Sequence, residues 1–251
     1  MIKLAKLNNQ PEIFHSIQGE GKNLGRPSVF VRLSLCNLYC VWCDTDYTWN
    51  WEGTRFPHRN DALEGYTKFK KADYIIQLPN TEIIRCITQY NCPNLVITGG
   101  EPLVQKKDLL PLVKALKALD PAYHIEFETN GTILPGKELD GYSDQYNVSV
   151  KLSNSKVDYA DRIIPDAISF FARSPKANFK FVVDEASDLA EIIALQEAFD
   201  IASDKIYLMP QGTKVSALQS KEMWLVDSCK AHNFNYTDRI HIRIFGDKRG
   251  V

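Results

Sequence analysis

The stretch Ser34-Leu-Cys-Asn-Leu-Tyr-Cys-Val-Trp-Cys-Asp-Thr45 places Cys36, Cys40 and Cys43 in a C-x3-C-x2-C array. A tight loop of this kind brings three sulfurs onto one small concave face. Soft thiolates favour zinc, Cu(I) or iron–sulfur clusters. A [4Fe–4S] cube has four irons and takes one ligand at each, so three cysteines leave one iron open. The array therefore predicts a metal centre, with an iron–sulfur cluster as the favoured kind.

A structural zinc site is the alternative, with a fourth ligand such as His15 or His58. Zinc in structural sites is normally closed by four protein ligands. The familiar zinc patterns pair cysteines as C-x2-C twice, or combine C-x2-C with H-x3–5-H. The spacing here matches neither pattern. Tyr39 and Trp42 lie between the cysteines and would shield an oxygen-sensitive centre, which also favours the cluster.

Residues 28–35, directly before the array, alternate in polarity. Val29, Val31, Leu33 and Leu35 fall on one face of this segment, which is the period of a β-strand. Further strands are predicted near residues 12–17, 95–98, 124–129, 147–152, 179–183, 205–209 and 240–244. Helical stripes are predicted over residues 83–87, 109–119, 189–199 and 216–232, with Asn80 capping the first helix and a Ser216–Gln219 capping box starting the last one.

Strands that alternate with helices indicate βαβ units and a mostly parallel sheet. The repeats are too few for a closed eight-fold barrel. The sequence therefore predicts an α/β fold built as a partial, open β/α barrel with mostly parallel strands. The 251 residues suit a single domain, with a loop-rich insertion at about 46–79.

Composition narrows the class of protein further. A net charge of −1 offers no basic footprint, which disfavours nucleic acid as a partner. Six cysteines without a signal peptide indicate a reducing cytoplasm rather than a disulfide scaffold. No run of about 18 apolar residues is present, so no membrane span is predicted.

Polar and glycine-rich turns follow several predicted strands. They are the cysteine loop, Gly99-Gly100-Glu101-Pro102, Glu128-Thr129-Asn130-Gly131 and Met209-Pro210-Gln211-Gly212. In barrels and open α/β sheets the active site forms where strands end. Glycines allow close approach of a backbone to a ligand, and the Glu101 carboxylate could receive an ammonium group. The convergence of these turns predicts an enzyme.

The cysteine array and the Gly-Gly-Glu-Pro turn together resemble the radical S-adenosylmethionine superfamily. A narrower similarity, to the 7-carboxy-7-deazaguanine synthase family, rests on Ser16-Ile-Gln-Gly-Glu-Gly21, Phe30-Val-Arg32, Trp42-Cys-Asp-Thr45, Glu128-Thr-Asn-Gly131 and Gly246-Asp-Lys-Arg-Gly-Val251. That family contracts 6-carboxy-5,6,7,8-tetrahydropterin to 7-carboxy-7-deazaguanine and releases ammonia, in queuosine-type 7-deazapurine biosynthesis. The resemblance implies a carbon–nitrogen lyase that uses a [4Fe–4S] cluster, S-adenosylmethionine and Mg²⁺.

The resemblance also implies a role for each matched residue. Cys36, Cys40 and Cys43 would hold the cluster, and Thr45 would give its hydroxyl to Mg²⁺, a hard ion that prefers oxygen. Glu128 would bind the pterin ring or move protons. The S-adenosylmethionine site would comprise Trp42, Cys43, Asp44, Gly100, Glu101, Ser149, Val150, Lys151, Met209, Pro210, Gln211 and Gly212. The substrate site would comprise Ile17, Gln18, Gly19, Arg32, Thr98 and Val251, with Arg32 pairing bidentately with the substrate carboxylate and the terminal carboxylate of Val251 accepting from ring N–H groups.

The chain departs from the family pattern in two places. Ser149-Val150-Lys151 stands where the family usually shows Ser-Pro-Lys, and Met209-Pro210 stands where it often shows Gln-Pro. The resemblance also implies a homodimer and an electron donor such as a flavodoxin. Two alternatives remain at this point: a radical activase acting on a partner protein, against which the segments 18–21 and 248–251 argue, and a non-catalytic zinc-binding module.

Overall fold

The computed structural model describes residues 1–251. Its strands are β1 (Ile2–Leu7), β2 (Gln10–Pro11), β3 (Ile13–Ile17), β4 (Pro27–Leu33), β5 (Ile75–Leu78), β6 (Asn94–Gly99), β7 (His124–Thr129), β8 (Gln145–Val148), β9 (Ala177–Val183), β10 (Ile206–Pro210) and β11 (Asn235–Tyr236). Its α-helices are α1 (Lys71–Tyr74), α2 (Asn80–Thr88), α3 (Lys106–Leu119), α4 (Lys137–Tyr142), α5 (Tyr159–Arg162), α6 (Pro165–Arg173), α7 (Asp188–Phe199), α8 (Val215–His232) and α9 (Ile240–Phe245). No helix combines the length and the apolarity that crossing a membrane requires.

All eleven strands belong to one sheet, in the order β11-β10-β9-β8-β7-β6-β4-β1-β2. Pairing is parallel from β4 through β6 to β11. The first strands are antiparallel, since β1 pairs with β2, β4 and β5, and β3 pairs with β4. The sheet does not close on itself, so the prediction of an open, mostly parallel partial barrel is confirmed.

The two faces of the sheet differ in polarity because side chains alternate along each strand. On β7, Ile125 and Phe127 are fully buried in the main apolar core, which the helices cover. Glu126 and Glu128 alternate with them and point to the opposite, concave face. The concave face therefore carries charge, and it is the face on which a polar ligand would be bound.

Residues 46–79 contain only short regular elements. They contain 3₁₀ turns at Asp46–Thr48 and Arg59–Ala62, followed by α1 and β5. The Phe56 ring stacks on Tyr39 of the cysteine loop, with ring centroids 3.5 Å apart. The segment thus packs against the loop on one side and extends the sheet on the other. Its description as an insertion within a single domain stays a prediction.

Three local predictions are wrong. The run Ile240, Ile242, Ile244 forms α9 rather than a strand, because β11 has already taken the place beside β10 and six residues are too few for periodicity to decide. Helix α8 begins at Val215 without a side-chain cap, so Ser216 lies inside its first turn and forms no capping box. Helix α2 begins at Asn80 itself, with Pro79 in the cap position and no side-chain cap.

Candidate active site

The concave face of the sheet and the cysteine loop enclose a cavity of about 250 Å³. Most of the predicted site residues line it: Ile17, Gln18, Gly19, Arg32, Cys36, Cys40, Trp42, Cys43, Asp44, Thr45, Thr98, Gly100, Glu128, Ser149, Lys151, Met209, Gln211 and Val251. Four predicted residues are not part of its lining: Glu101, Val150, Pro210 and Gly212. Val150 is instead part of the apolar core.

Cys36, Cys40 and Cys43 are free thiols that open onto this cavity. Burial raises the pKa of all three, that of Cys40 to about 12. Ionised sulfur at these positions therefore depends on a bound metal, which displaces the thiol protons. No three His, Cys, Asp or Glu side chains converge closely enough to hold one metal ion. In a [4Fe–4S] cube each thiolate binds a different iron, so its ligands need not converge on a single point.

The two histidines considered as zinc ligands do not join the three thiols. Nε2 of His58 lies 2.9 Å from the carbonyl oxygen of Cys43, and its Nδ1 accepts from the backbone N–H of Asn60 at 3.2 Å. The ring of His15 lies against Tyr90, with centroids 5.6 Å apart. Neither ring completes the thiol set. The donor set, three free cysteines that line one cavity, fits a cluster that takes one protein ligand at each of three irons.

Polar groups surround the cysteine loop. The hydroxyl oxygen of Thr45 lies 3.5 Å from the sulfur of Cys43. The indole N–H of Trp42 donates to the carbonyl of Asn154 at 3.1 Å. The ammonium of Lys151 lies 5.7 Å from the Trp42 ring centroid and donates to the Ser149 hydroxyl at 2.8 Å. These contacts place the Thr45 hydroxyl and the Lys151 ammonium beside the cysteine loop.

The Gly-Gly-Glu-Pro turn packs against the start of the cysteine loop. A Cβ at Gly100 would lie 1.9 Å from the carbonyl oxygen of Leu35, so only glycine fits there. The Glu101 carboxylate is fully buried and accepts from the backbone N–H groups of Leu103 (2.9 Å) and Asn130 (2.6 Å). Burial raises the pKa of Glu101. Its carboxylate thus ties β6 to the turn after β7 and lies behind the cavity wall, while the Gly100 backbone forms the wall itself.

Arg32 and Thr98 are neighbours across the β4–β6 pairing. Nε of Arg32 donates to the buried carboxylate of Glu12 at 3.0 Å, and its two terminal nitrogens donate to no protein group. Burial opposes the charge, but Tyr47, Glu12 and Asp44 hold the pKa of Arg32 above its usual value. The result is a permanent cation with free donors facing the cavity, as bidentate carboxylate binding requires.

Sequence reasoning assigned no role to Lys180 or Glu20, which form an ion-pair chain with Glu128. The Lys180 ammonium lies 2.8 Å from a Glu128 oxygen and 2.5 Å from a Glu20 oxygen. Burial opposes both charges, yet the pKa of Lys180 is held high by its two carboxylates, and that of Glu20 is held low by Lys180 and Arg239. One signal was available: Lys180 is the single charge within the apolar strand β9.

The C-terminal segment also contributes residues that sequence reasoning missed. Buried Arg239 forms ion pairs with Glu20 (3.0 Å) and with Asp44 of the cysteine loop. The ring of His241 occupies the space that a Cβ at Gly19 would fill, 2.0 Å from its Nδ1. Burial lowers the pKa of His241, which keeps the ring neutral at neutral pH. No local pattern in residues 239–241 signals these long-range contacts.

Comparisons with known proteins agree with this geometry. Residues 31–184 match the model of the Radical SAM superfamily, which is more than half of the chain. The chain is 36% identical over 241 residues to the 7-carboxy-7-deazaguanine synthase of Pyrobaculum aerophilum, covering 95% of each chain. It is 34% identical to that of Rhodopirellula baltica, covering 96% of this chain and 87% of the relative.

A solved structure gives the same result. The crystal structure of QueE from Escherichia coli superposes with a TM-score of 0.63 and 25% sequence identity, covering 94% of this chain and 93% of that one. The match extends over nearly the full length of both chains, and the cavity carries the cysteine array that the superfamily model includes. The chain therefore belongs to the 7-carboxy-7-deazaguanine synthase family of the radical SAM superfamily.

Proposed function

We propose that this chain is a radical S-adenosylmethionine enzyme that converts 6-carboxy-5,6,7,8-tetrahydropterin to 7-carboxy-7-deazaguanine with release of ammonia. The observation that carries the proposal is the composition of one cavity: three free cysteines, the Thr45 hydroxyl and the Arg32 guanidinium all line it. Family membership supports the lyase over the activase. The zinc-binding module is disfavoured because neither His15 nor His58 joins the three thiols.

Cys36, Cys40 and Cys43 hold a [4Fe–4S] cluster in this proposal. When bound, the cluster and S-adenosylmethionine supply the one-electron chemistry that removes a hydrogen atom from the substrate. Cavity-lining residues near the loop bind the cofactor: Trp42, Asp44, Gly100, Ser149, Lys151, Met209 and Gln211. Glu101, Val150, Pro210 and Gly212 shape this wall from behind. The carbonyl of Gly212, for example, accepts from Arg239 at 2.6 Å.

Arg32 would bind the substrate carboxylate, and the Thr45 hydroxyl would hold Mg²⁺, which when bound would supply further positive charge for that carboxylate. Carboxylates and hydroxyls are hard oxygen ligands of the kind that Mg²⁺ prefers. One protein ligand is consistent with this ion, which usually keeps several waters and uses substrate oxygens. The pterin then extends toward Gln18, Thr98 and Val251, whose polar atoms fix its orientation.

Glu128 accepts a hydrogen bond from the bound ring. Its carboxylate already accepts from Lys180 (2.8 Å), Asn147 (2.7 Å) and Gln18 (3.1 Å), so its position is fixed before substrate arrives. Lys180 keeps its proton, because two carboxylates hold its pKa high. The lysine is therefore a charge that orients Glu128 rather than a base.

Three further features belong to the proposal. The enzyme works as a homodimer in the cytoplasm. A one-electron donor such as a flavodoxin reduces the cluster. The product enters the synthesis of a 7-deazapurine of the queuosine type.

An anaerobic assay tests the function directly. The reduced protein is supplied with S-adenosylmethionine, Mg²⁺ and 6-carboxytetrahydropterin, and products are identified by mass spectrometry. The proposal predicts 7-carboxy-7-deazaguanine and ammonia. Formation of 5′-deoxyadenosine without the deazaguanine would retain the superfamily and overturn the substrate. A colourless protein that binds one zinc and no sulfide would overturn both.

A further inference from the structure

The side-chain amide of Gln18 is held between two carboxylates. Its Nε2 donates to Glu126 and, at 3.1 Å, to Glu128. Gln18 is nearly fully buried, and it lines the cavity. No protein group donates to its other polar atom, the carbonyl oxygen Oε1. The amide thus has one end engaged by protein and one end left for a ligand.

Glu126 lies behind the cavity wall and is absent from its lining. It is 2% exposed, and besides Gln18 it accepts from the side-chain amides of Asn23 and Asn147, each at 2.6 Å. Three amide NH₂ groups therefore converge on one carboxylate. An ionised carboxylate has only acceptors, so it imposes the same orientation on each amide.

We propose that Glu126 is a positioning residue that fixes the Gln18 amide with its nitrogen turned away from the cavity and its carbonyl oxygen turned toward the substrate. The proposal rests on the function proposed above and adds a selectivity to it. Gln18 then offers only an acceptor, so the site selects a heterocycle that presents a ring or amino N–H at this position. A heterocycle that presents an acceptor there meets another lone pair and is rejected.

The opposite orientation of the amide is unfavourable on physical grounds. Turning Gln18 over would place Oε1 against oxygens of Glu126 and Glu128, so that lone pairs would face lone pairs and each carboxylate would lose one of its donors. Leaving a buried polar group unpaired disfavours that orientation by roughly tenfold to a hundredfold in the equilibrium constant between the two orientations. The contact of Gln18 with Glu128 is longer than its contact with Glu126, so Glu126 provides most of the preference for the observed orientation.

The ionisation state of Glu126 should therefore change the affinity for the substrate. Burial, followed by the charge of Glu128, raises the pKa of Glu126 to about 7. The charged groups that face it are Glu128 on its own strand and Lys180 on β9, whose charge is fixed by Glu20. Above this pH the carboxylate accepts from all three amides. Below it one oxygen carries a proton, an acceptor is lost, and Gln18 is no longer held in one orientation.

The test uses the full chain under anaerobic conditions and 6-carboxy-5,6,7,8-tetrahydropterin as the probe, without S-adenosylmethionine so that no turnover occurs. Its dissociation constant is measured by isothermal titration calorimetry across the pH range around 7 for the wild type, for Glu126→Gln and for Asn23→Ala. Asn23 is the matched control, because it donates to the same carboxylate but does not contact Gln18. Thermal unfolding of each variant checks that it is folded.

We expect Glu126→Gln to weaken probe binding by about tenfold at high pH and to remove the weakening that the wild type shows as pH falls through about 7. In turnover the variant should raise KM with little change in kcat, because the contact is made equally in the ground and transition states. Asn23→Ala should stay within about twofold of the wild type.

Two results would overturn the inference alone: probe binding by Glu126→Gln with the affinity and pH profile of the wild type, or equal losses in Glu126→Gln and Asn23→Ala. The second would mean that the network is merely structural. If the wild type does not bind 6-carboxy-5,6,7,8-tetrahydropterin at any pH, the pterin substrate and this inference are both wrong. The outcomes therefore separate a wrong orientation from a wrong substrate.

Discussion

The cysteine loop (residues 34–45) and the C-terminal segment (residues 239–251) line the same cavity but are built in different ways. The loop draws its three thiols from eight consecutive residues, 36–43. The C-terminal segment reaches the site through contacts with residues 195 to 237 positions away, such as Arg239 with Asp44 and Arg249 with Glu12. Three thiols can thus come from one short stretch of sequence while the rest of the cavity is assembled from distant parts of the chain.

We expect the largest loss of activity from replacing a cysteine of the loop itself. Replacing Cys36, Cys40 or Cys43 by alanine removes one of three iron ligands, so iron and sulfide content should collapse and activity should fall to background. Cys86→Ala on α2 is the matched control and should retain full iron content. A cysteine-loop variant that keeps its cluster would break the assignment of that cysteine as a ligand.

A second prediction concerns the contact that joins the two regions. Arg239→Met removes a buried cation, leaves the partly buried carboxylate of Glu20 with one cation fewer and frees Asp44, which should lower the free energy of unfolding by about 3 kcal/mol. Arg243→Met, in the same segment, loses only half-exposed pairs with Asp238 and Glu222 and should cost about 1 kcal/mol or less. Denaturant unfolding of the two variants gives the comparison. Equal losses would mean that Arg239 is no more than another surface cation.

The same contact predicts a dependence on pH. The folded pKa of Glu20 lies below its usual value of 4.5, so its ion pairs stabilise the fold above that pH and this stability is lost as pH falls toward the folded value. Arg239→Met removes part of the cause of the shift. Its stability should therefore fall less steeply than that of the wild type below pH 4.5. Parallel acid unfolding curves would contradict this.

We expect a smaller effect on activity from replacing Thr45, which lies beside the cysteine loop and lines the cavity. Thr45→Ala removes the hydroxyl that we assign to Mg²⁺, so the Mg²⁺ concentration for half-maximal activity should rise about tenfold. Iron content should stay unchanged, because the hydroxyl only approaches Cys43 at 3.5 Å. Thr54→Ala lies in the following segment, outside the cavity lining, and serves as the control. Loss of the cluster in Thr45→Ala would make Thr45 a structural residue.

The sequence allowed the parts of this molecule that depend on local pattern to be predicted. The cysteine spacing predicted the metal-binding loop, and period-two alternation located β4 and β7, including the two faces of each. Arg32 and Thr98 were named from family resemblance, and pairing of β4 with β6 places them side by side.

The remaining features depend on which distant residues meet. Residues 240–245 have alternating isoleucines that are typical of a strand, yet the segment is the short helix that carries His241 to Gly19. Lys180 and Glu20 lie 160 positions apart, and the residues that flank each of them do not indicate that the two side chains meet. Glu101 matched the Gly-Gly-Glu-Pro motif, but its carboxylate accepts hydrogen bonds from the backbone N–H groups of Leu103 and Asn130, which only the folded chain brings together.

The most direct test of the central claim is to loosen the C-terminal segment and measure the two halves of the site separately. Arg249 pairs with Glu12 at 2.5 Å and lies 3.4 Å from the Tyr47 ring centroid, so it anchors the segment that ends in the cavity. In Arg249→Met, binding of S-adenosylmethionine is followed by the change in the electron paramagnetic resonance spectrum of the reduced cluster. Binding of 6-carboxy-5,6,7,8-tetrahydropterin is measured separately by anaerobic calorimetry without S-adenosylmethionine. We predict unchanged cofactor binding and pterin binding weakened by about tenfold, with Arg243→Met unaffected in both. Loss of cofactor binding with pterin binding intact would contradict the division of the cavity between the cysteine loop and the C-terminal segment.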